Sequence, residues 1–113
     1  MGTAYLLAGD GSSIFWENEM LDYVFEELRE LNLCDSGNRF SLDWLDMNES
    51  YWRTIRAKQA KPSVKVIARC GNKLHQRGQA FLQSDFDVIR NKGQRLTELG
   101  QKCFQEAIRQ SVY

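Results

Sequence analysis

The stretch Ser41–Leu74, SLDWLDMNESYWRTIRAKQAKPSVKVIARCGNKL, decides the fold. Leu42 and Leu45 lie on one face of a helical turn. Asp46-Met47-Asn48 then interrupts the pattern. Asn48 is a good N-cap, because its side-chain carbonyl can accept from a backbone N–H one turn on. Glu49 follows where the helix dipole favours an anion. Trp52 and Ile55 give the new helix its own buried face. Lys61-Pro62-Ser63 marks a second break, with Pro62 suited to the first turn of a further helix. Val64, Ile67, Ala68, Gly71 and Leu74 recur at helical spacing after it. The stretch therefore reads as two short helices joined by a tight turn, followed by a third.

This pattern resembles the helix-turn-helix of the phage-repressor type, the lambda repressor and Cro family. The resemblance rests on Leu45 before the turn, Met47 within it, Asn48 opening the next helix, and Trp52 and Ile55 at its buried positions. It continues through Lys61-Pro62-Ser63 and the aliphatics Val64, Ile67 and Leu74. Two positions depart from the family. Asp46 stands where Gly is usual, and Asp tolerates a left-handed backbone better than most residues do. Leu42 stands where a small residue usually packs between the two helices, which implies a wider crossing or a repacked contact. The resemblance implies base reading by Glu49, Ser50 and Thr54, with Tyr51 and Arg53 beside them. It also implies a phosphate contact at Asn38, where a plain turn or cap role is equally open. A carboxylate can accept from the cytosine amino group, and hydroxyls can serve several bases. Glu49 keeps its alternative role as a first-turn anion.

Working outward toward the N-terminus, an apolar stripe of Met20, Leu21, Val24, Phe25, Leu28 and Leu31 predicts a helix over 18–33. The cluster Cys34-Asp35-Ser36-Gly37 ends it. Phe40, Leu42, Trp44 and Leu45 supply a helix over 38–45. Residues 1–17 read as an irregular arm, with a short pairing strand as an open alternative.

Toward the C-terminus, helices are expected over 49–58, 62–76, closed by Gly78, and 84–110, capped by Ser84 with Asp87 behind it. Phe86, Ile89, Gly93, Leu96, Gly100, Cys103 and Ala107 form a heptad-like seam on the last helix. The two glycines each weaken the helix by about 1 kcal/mol of propensity. They point to close approach by another helix, the chain's own or a partner's. The partner is the reading adopted: a homodimer interface along this seam. The expectation is thus an all-α protein of five helices, with a helix-turn-helix domain over 18–78 and a dimerising C-terminal helix over 79–113.

Composition agrees with an ordinary globular chain: 113 residues, 42% hydrophobic and 27% charged. The net charge of zero hides an asymmetry. Residues 1–49 carry eleven acidic residues and two basic ones, Arg29 and Arg39. Residues 50–80 carry eight basic residues and no acid. Such a block points to a polyanionic partner, or else to a basic face paired with the acidic first helix of the same molecule. Lys58, Lys61, Lys65 and Arg69, with Arg56, are the candidate phosphate contacts.

Cys34, Cys70 and Cys103 are far apart, with His75 the single histidine, so neither a metal site nor a disulfide framework is expected. No cofactor and no catalytic constellation is expected. The longest early apolar run, Ala4–Ala8, is too short to cross a membrane and lacks a basic leader, so the expected compartment is the cytoplasm. Two functions follow. One is a small bacterial or phage transcriptional regulator that binds double-stranded DNA. The other is an interaction module, antitoxin-like or a phage-encoded inhibitor, whose basic face grips an acidic protein.

Overall fold

The structure, a computed structural model, describes residues 19–112. The expected arm over 1–17 lies outside them. Among the described residues the chain is all-α, with five helices and no strand. Helix α1 (Met20–Glu30) buries Met20, Leu21, Val24, Phe25 and Leu28. It stops short of residue 33 because Asn32 turns left-handed, φ 60°, and the Leu33 N–H closes back onto the Leu28 carbonyl. Helix α3 (Tyr51–Ala57) ends in the same way at Gln59, φ 51°, with the Ala60 N–H on the Ile55 carbonyl. Asparagine adopts this geometry readily; glutamine is an uncommon choice for it.

Helix α2 begins as an α-helical turn, Gly37–Arg39, and widens into a π-helical turn, Phe40–Trp44. The Ser36 hydroxyl caps it by accepting from the Arg39 N–H. The Leu45 N–H reaches back to the Phe40 carbonyl at 3.1 Å, one residue further than an α-helix allows. That extra residue rotates the end of the helix. Ser41, not Leu42, therefore faces α3: Ser41 is fully buried and Leu42 is 39% exposed. The wide or repacked crossing expected from Leu42 is replaced by a rotation that puts a small residue at the contact.

Helix α4 (Val64–Leu82) and helix α5 (Asp87–Val112) form a long antiparallel hairpin. Ser63 caps α4 by accepting from the Val66 N–H. Gly78, expected to end this helix, lies inside it. It is there because a Cβ would stand 2.9 Å from the Gly93 carbonyl oxygen of α5. Gly100 faces the Gly71 carbonyl in the same way, at 2.9 Å. Helix α5 begins at Asp87 rather than 84, after a turn in which the Ser84 hydroxyl accepts from the Phe86 N–H.

The seam drawn for a partner is therefore filled from within. Gly93, Leu96, Gly100, Cys103 and Ala107 are all buried in the single chain. The two glycines lie against α4, and this corrects the expectation that these five form a two-fold interface. The physical reason is that α4 carries Gly71 and Gly78 at the same heptad spacing, so the backbones of one chain can approach closely. Only Phe86, 72% exposed, and Ile89, half-buried, remain accessible.

One core unites all five helices. Phe40 and Trp44 of α2 and Trp52 of α3 join the α1 stripe, Ile67 and Leu74 of α4, and Leu96 and Leu99 of α5. Ile55, expected inside, is half-buried at the core's edge. Phe25, Phe40 and Trp52 form a tilted and edge-on aromatic trio, with centroids 5.1 to 6.0 Å apart. A salt bridge from Arg95 to Glu27 ties α5 to α1. No helix among the described residues is long and apolar enough to cross a membrane.

Candidate nucleic-acid interface

A buried hydroxyl links α2 to α3. Ser41 Oγ accepts from the Trp52 N–H at 2.9 Å, an amide of the first turn of α3 that has no partner within its own helix. The same hydroxyl donates to the Gly37 carbonyl at 3.0 Å. Asp46 takes the left-handed conformation, φ 56°, that the turn demands. Two cations from α4 fix it. Lys73 Nζ lies 3.0 Å from the Asp46 carboxylate, and Arg69 donates to the Asp46 carbonyl and to the Met47 sulfur.

Asn48 does not cap α3 from the adjoining position. Its carbonyl Oδ1 accepts from the Ser50 N–H at 3.0 Å and from the Ser50 hydroxyl at 2.8 Å, and α3 starts at Tyr51. The chain competes with itself here: an Asn side chain can close a local turn as readily as it caps a helix. Glu49 and Ser50 therefore precede α3. Glu49, Arg53 and Thr54 are exposed; Ser50 and Tyr51 are half-buried. Burial holds the Tyr51 phenol above its ordinary range, against the opposing pull of Arg69, so it is a neutral donor at neutral pH.

The candidate phosphate contacts divide. Asn38 and Arg53 meet, with Arg53 Nη1 donating to Asn38 Oδ1 at 3.2 Å. Lys58, Lys61 and Lys65 are exposed at the end of α3 and the start of α4. Arg56 pairs with Asp22 of α1 at 3.4 Å and lies over the Trp52 ring at 5.5 Å. Burial pushes the Asp22 carboxyl above its ordinary value, and the Arg56 charge opposes that shift. Arg69, half-buried on the turn, belongs to the scaffold as much as to the surface. Part of the basic block is thus paired with acids of the same chain, as its alternative reading expected.

Phe25, Gly37, Asn38, Trp52, Arg53 and Arg56 line a cavity of about 290 Å³ between α1, α2 and α3. Trp52 is 3% exposed, and its Nε1 is buried without a hydrogen-bond partner among the described residues. Ser41, Gly37 and Phe25 were not among the expected site residues. The hydroxyl at 41 carried a signal only if the π-turn was foreseen. Among the described residues no group of acids, thiols and imidazoles could hold a metal ion.

No curated protein and no solved structure matches the chain. A family model matches residues 21–112, from the second residue of α1 to the end of α5. The chain belongs to this family, a family of unknown function (DUF6626).

Proposed function

We propose that the protein binds double-stranded DNA through a helix-turn-helix of the phage-repressor type, with α3 as the recognition helix. The observation that carries this reading is the junction of α2 and α3. A left-handed Asp46 and a buried Ser41 set the two helices, and Arg53 and Thr54 are left exposed on α3. Asn38, which accepts a hydrogen bond from Arg53, is the proposed contact to a strand phosphate. Lys58, Lys61 and Lys65 flank the helix with exposed ammonium groups. Arg53 and Thr54 then reach base edges, with Glu49, Ser50 and Tyr51 beside them. A homodimer reads a palindromic site, and the accessible apolar groups Phe86, Val88 and Ile89 supply its contact.

The rival, a module that grips an acidic protein, draws on two observations. Glu49 is exposed at the start of the recognition surface, and Arg56 and Lys73 already pair within the chain. Fluorescence anisotropy with arbitrary duplex DNA at several salt concentrations separates the two. DNA binding is expected to weaken as salt rises, and Lys58→Ala and Lys65→Ala should each lower the log–log slope by about one. No binding to duplex at low salt, or unchanged slopes in both variants, removes the DNA reading of this face.

A further inference from the structure

The cavity between α1, α2 and α3 has more than a strand phosphate requires. Its rim is cationic and polar: Arg53, Arg56 and Asn38. Its floor is aromatic, formed by Phe25 and Trp52, both largely buried. The buried Trp52 Nε1 has no acceptor among the described residues, and an unpaired buried donor is rare in native proteins. Arg53 makes one hydrogen bond, to Asn38, out of the five that a guanidinium offers. Asp22, the acid paired with Arg56, is a half-exposed carboxylate beside the rim. The volume, about 290 Å³, stands at the small end of ligand pockets. A phosphate on a DNA strand would meet the rim alone and leave the aromatic floor unused.

We infer that this cavity binds a small free oxyanion carrying a flat apolar body, the head a phosphate or carboxylate and the body an aromatic ring. The guanidinium forks of Arg53 and Arg56 receive the head, because planar donors match two oxygens at once. The ring lies at the mouth of the cavity against the accessible edges of Phe25 and Trp52, where it adds apolar contact. This inference goes beyond DNA binding and stands without it.

The test is a titration of the uniformly ¹⁵N-labelled full chain with phenyl phosphate, inorganic phosphate and a short duplex, followed by amide and indole resonances. Phenyl phosphate should bind saturably with a Kd below about 1 mM. It should move the Trp52 indole N–H and the amides near Gly37 and Asn38. Inorganic phosphate should bind at least about tenfold more weakly, since it lacks the ring. Arg53→Gln and Arg56→Gln should each weaken phenyl phosphate at least about fivefold, with the helical circular dichroism unchanged. The inference is overturned by equal binding of both phosphates, by variants that bind like the parent, or by no saturation. Duplex DNA that moves these resonances while phenyl phosphate does not also overturns it, because the cations then serve a nucleic-acid backbone. Phenyl phosphate that binds a protein blind to DNA supports the inference and removes only the proposed function.

Discussion

At the scale of single residues, Ser41 and Leu42 make a paired test of the π-turn. Ser41 Oγ is the acceptor for a buried amide of α3, so Ser41→Ala leaves that N–H unpaired. The expected loss is about 1–3 kcal/mol, read as a lower urea midpoint with an unchanged m-value. Leu42 is 39% exposed, so Leu42→Ala should change stability by less than about 0.5 kcal/mol. The reverse order would mean that the ordinary helical register holds and Leu42 faces α3. The left-handed turn was legible at Asp46, because backbone tolerance is a property of the residue itself. The Ser41 contact was not, because a π-turn is set by the packing of Phe40 and Trp44 and leaves no fixed residue signature. A second residue-scale expectation concerns Cys70. Its hydrogen bond with Cys103, then burial, push its thiol well above the ordinary 9.0. The native state therefore keeps this proton at pH values where an unfolded chain releases it. Its contribution to stability is complete below the ordinary thiol pKa and declines as pH rises above it. Cys70→Ala should flatten the fall of stability as pH rises above the ordinary thiol value. An equal fall in both proteins would refute the assignment.

At the scale of elements, the α4–α5 hairpin depends on backbone contact, and its glycines are not equivalent. A Cβ on Gly93 would stand 2.8 Å from the Gly78 carbonyl and 2.9 Å from the Leu82 amide, neither of which can swing aside. A Cβ on Gly71 would stand 3.0 Å from Cys103 Cβ, which its own backbone fixes, and 3.0 Å from the Phe104 ring, which can shift. Alanine gains roughly 1 kcal/mol of helix propensity at either site. Gly93→Ala should still be net destabilising by about 1–3 kcal/mol, and Gly71→Ala should cost less than Gly93→Ala. Thermal unfolding of the two variants decides the point, and equal midpoints would mean that the helices stand further apart. The four-glycine pattern was open to sequence reading, since both helices repeat Gly at one heptad. It was read on one helix only, and the partner was therefore sought outside the chain. Helix ends at Glu30 and Ala57 were hidden for a different reason: Asn32 and Gln59 adopt left-handed geometry without glycine.

At the scale of the whole molecule, the filled seam moves the question of assembly to the tip of the hairpin. Phe86 is 72% and Val88 65% exposed, and both lie where α5 begins. If the proposed dimer forms there, Phe86→Asp should lower the sedimenting mass of a dimeric parent toward that of a monomer. Its unfolding midpoint, extrapolated to zero subunit association, should be unchanged, because an exposed side chain contributes little to the core. A Phe86→Asp protein that still sediments with its parent would place any dimer contact elsewhere. The hairpin also orders the folding reaction. Gly78 and Gly93 are close in sequence, and Gly71 and Gly100 are roughly twice as far apart, so contacts at the tip close the shorter loop. Loop-closure entropy rises only slowly with length, so each contact made near the tip brings the next within reach at little further cost. The two long helices can thus zip from the tip toward the base before α1 contributes a side chain. On that order the surface that α1, α2 and α3 dock on forms before they do, and the unit proposed to read DNA follows the hairpin.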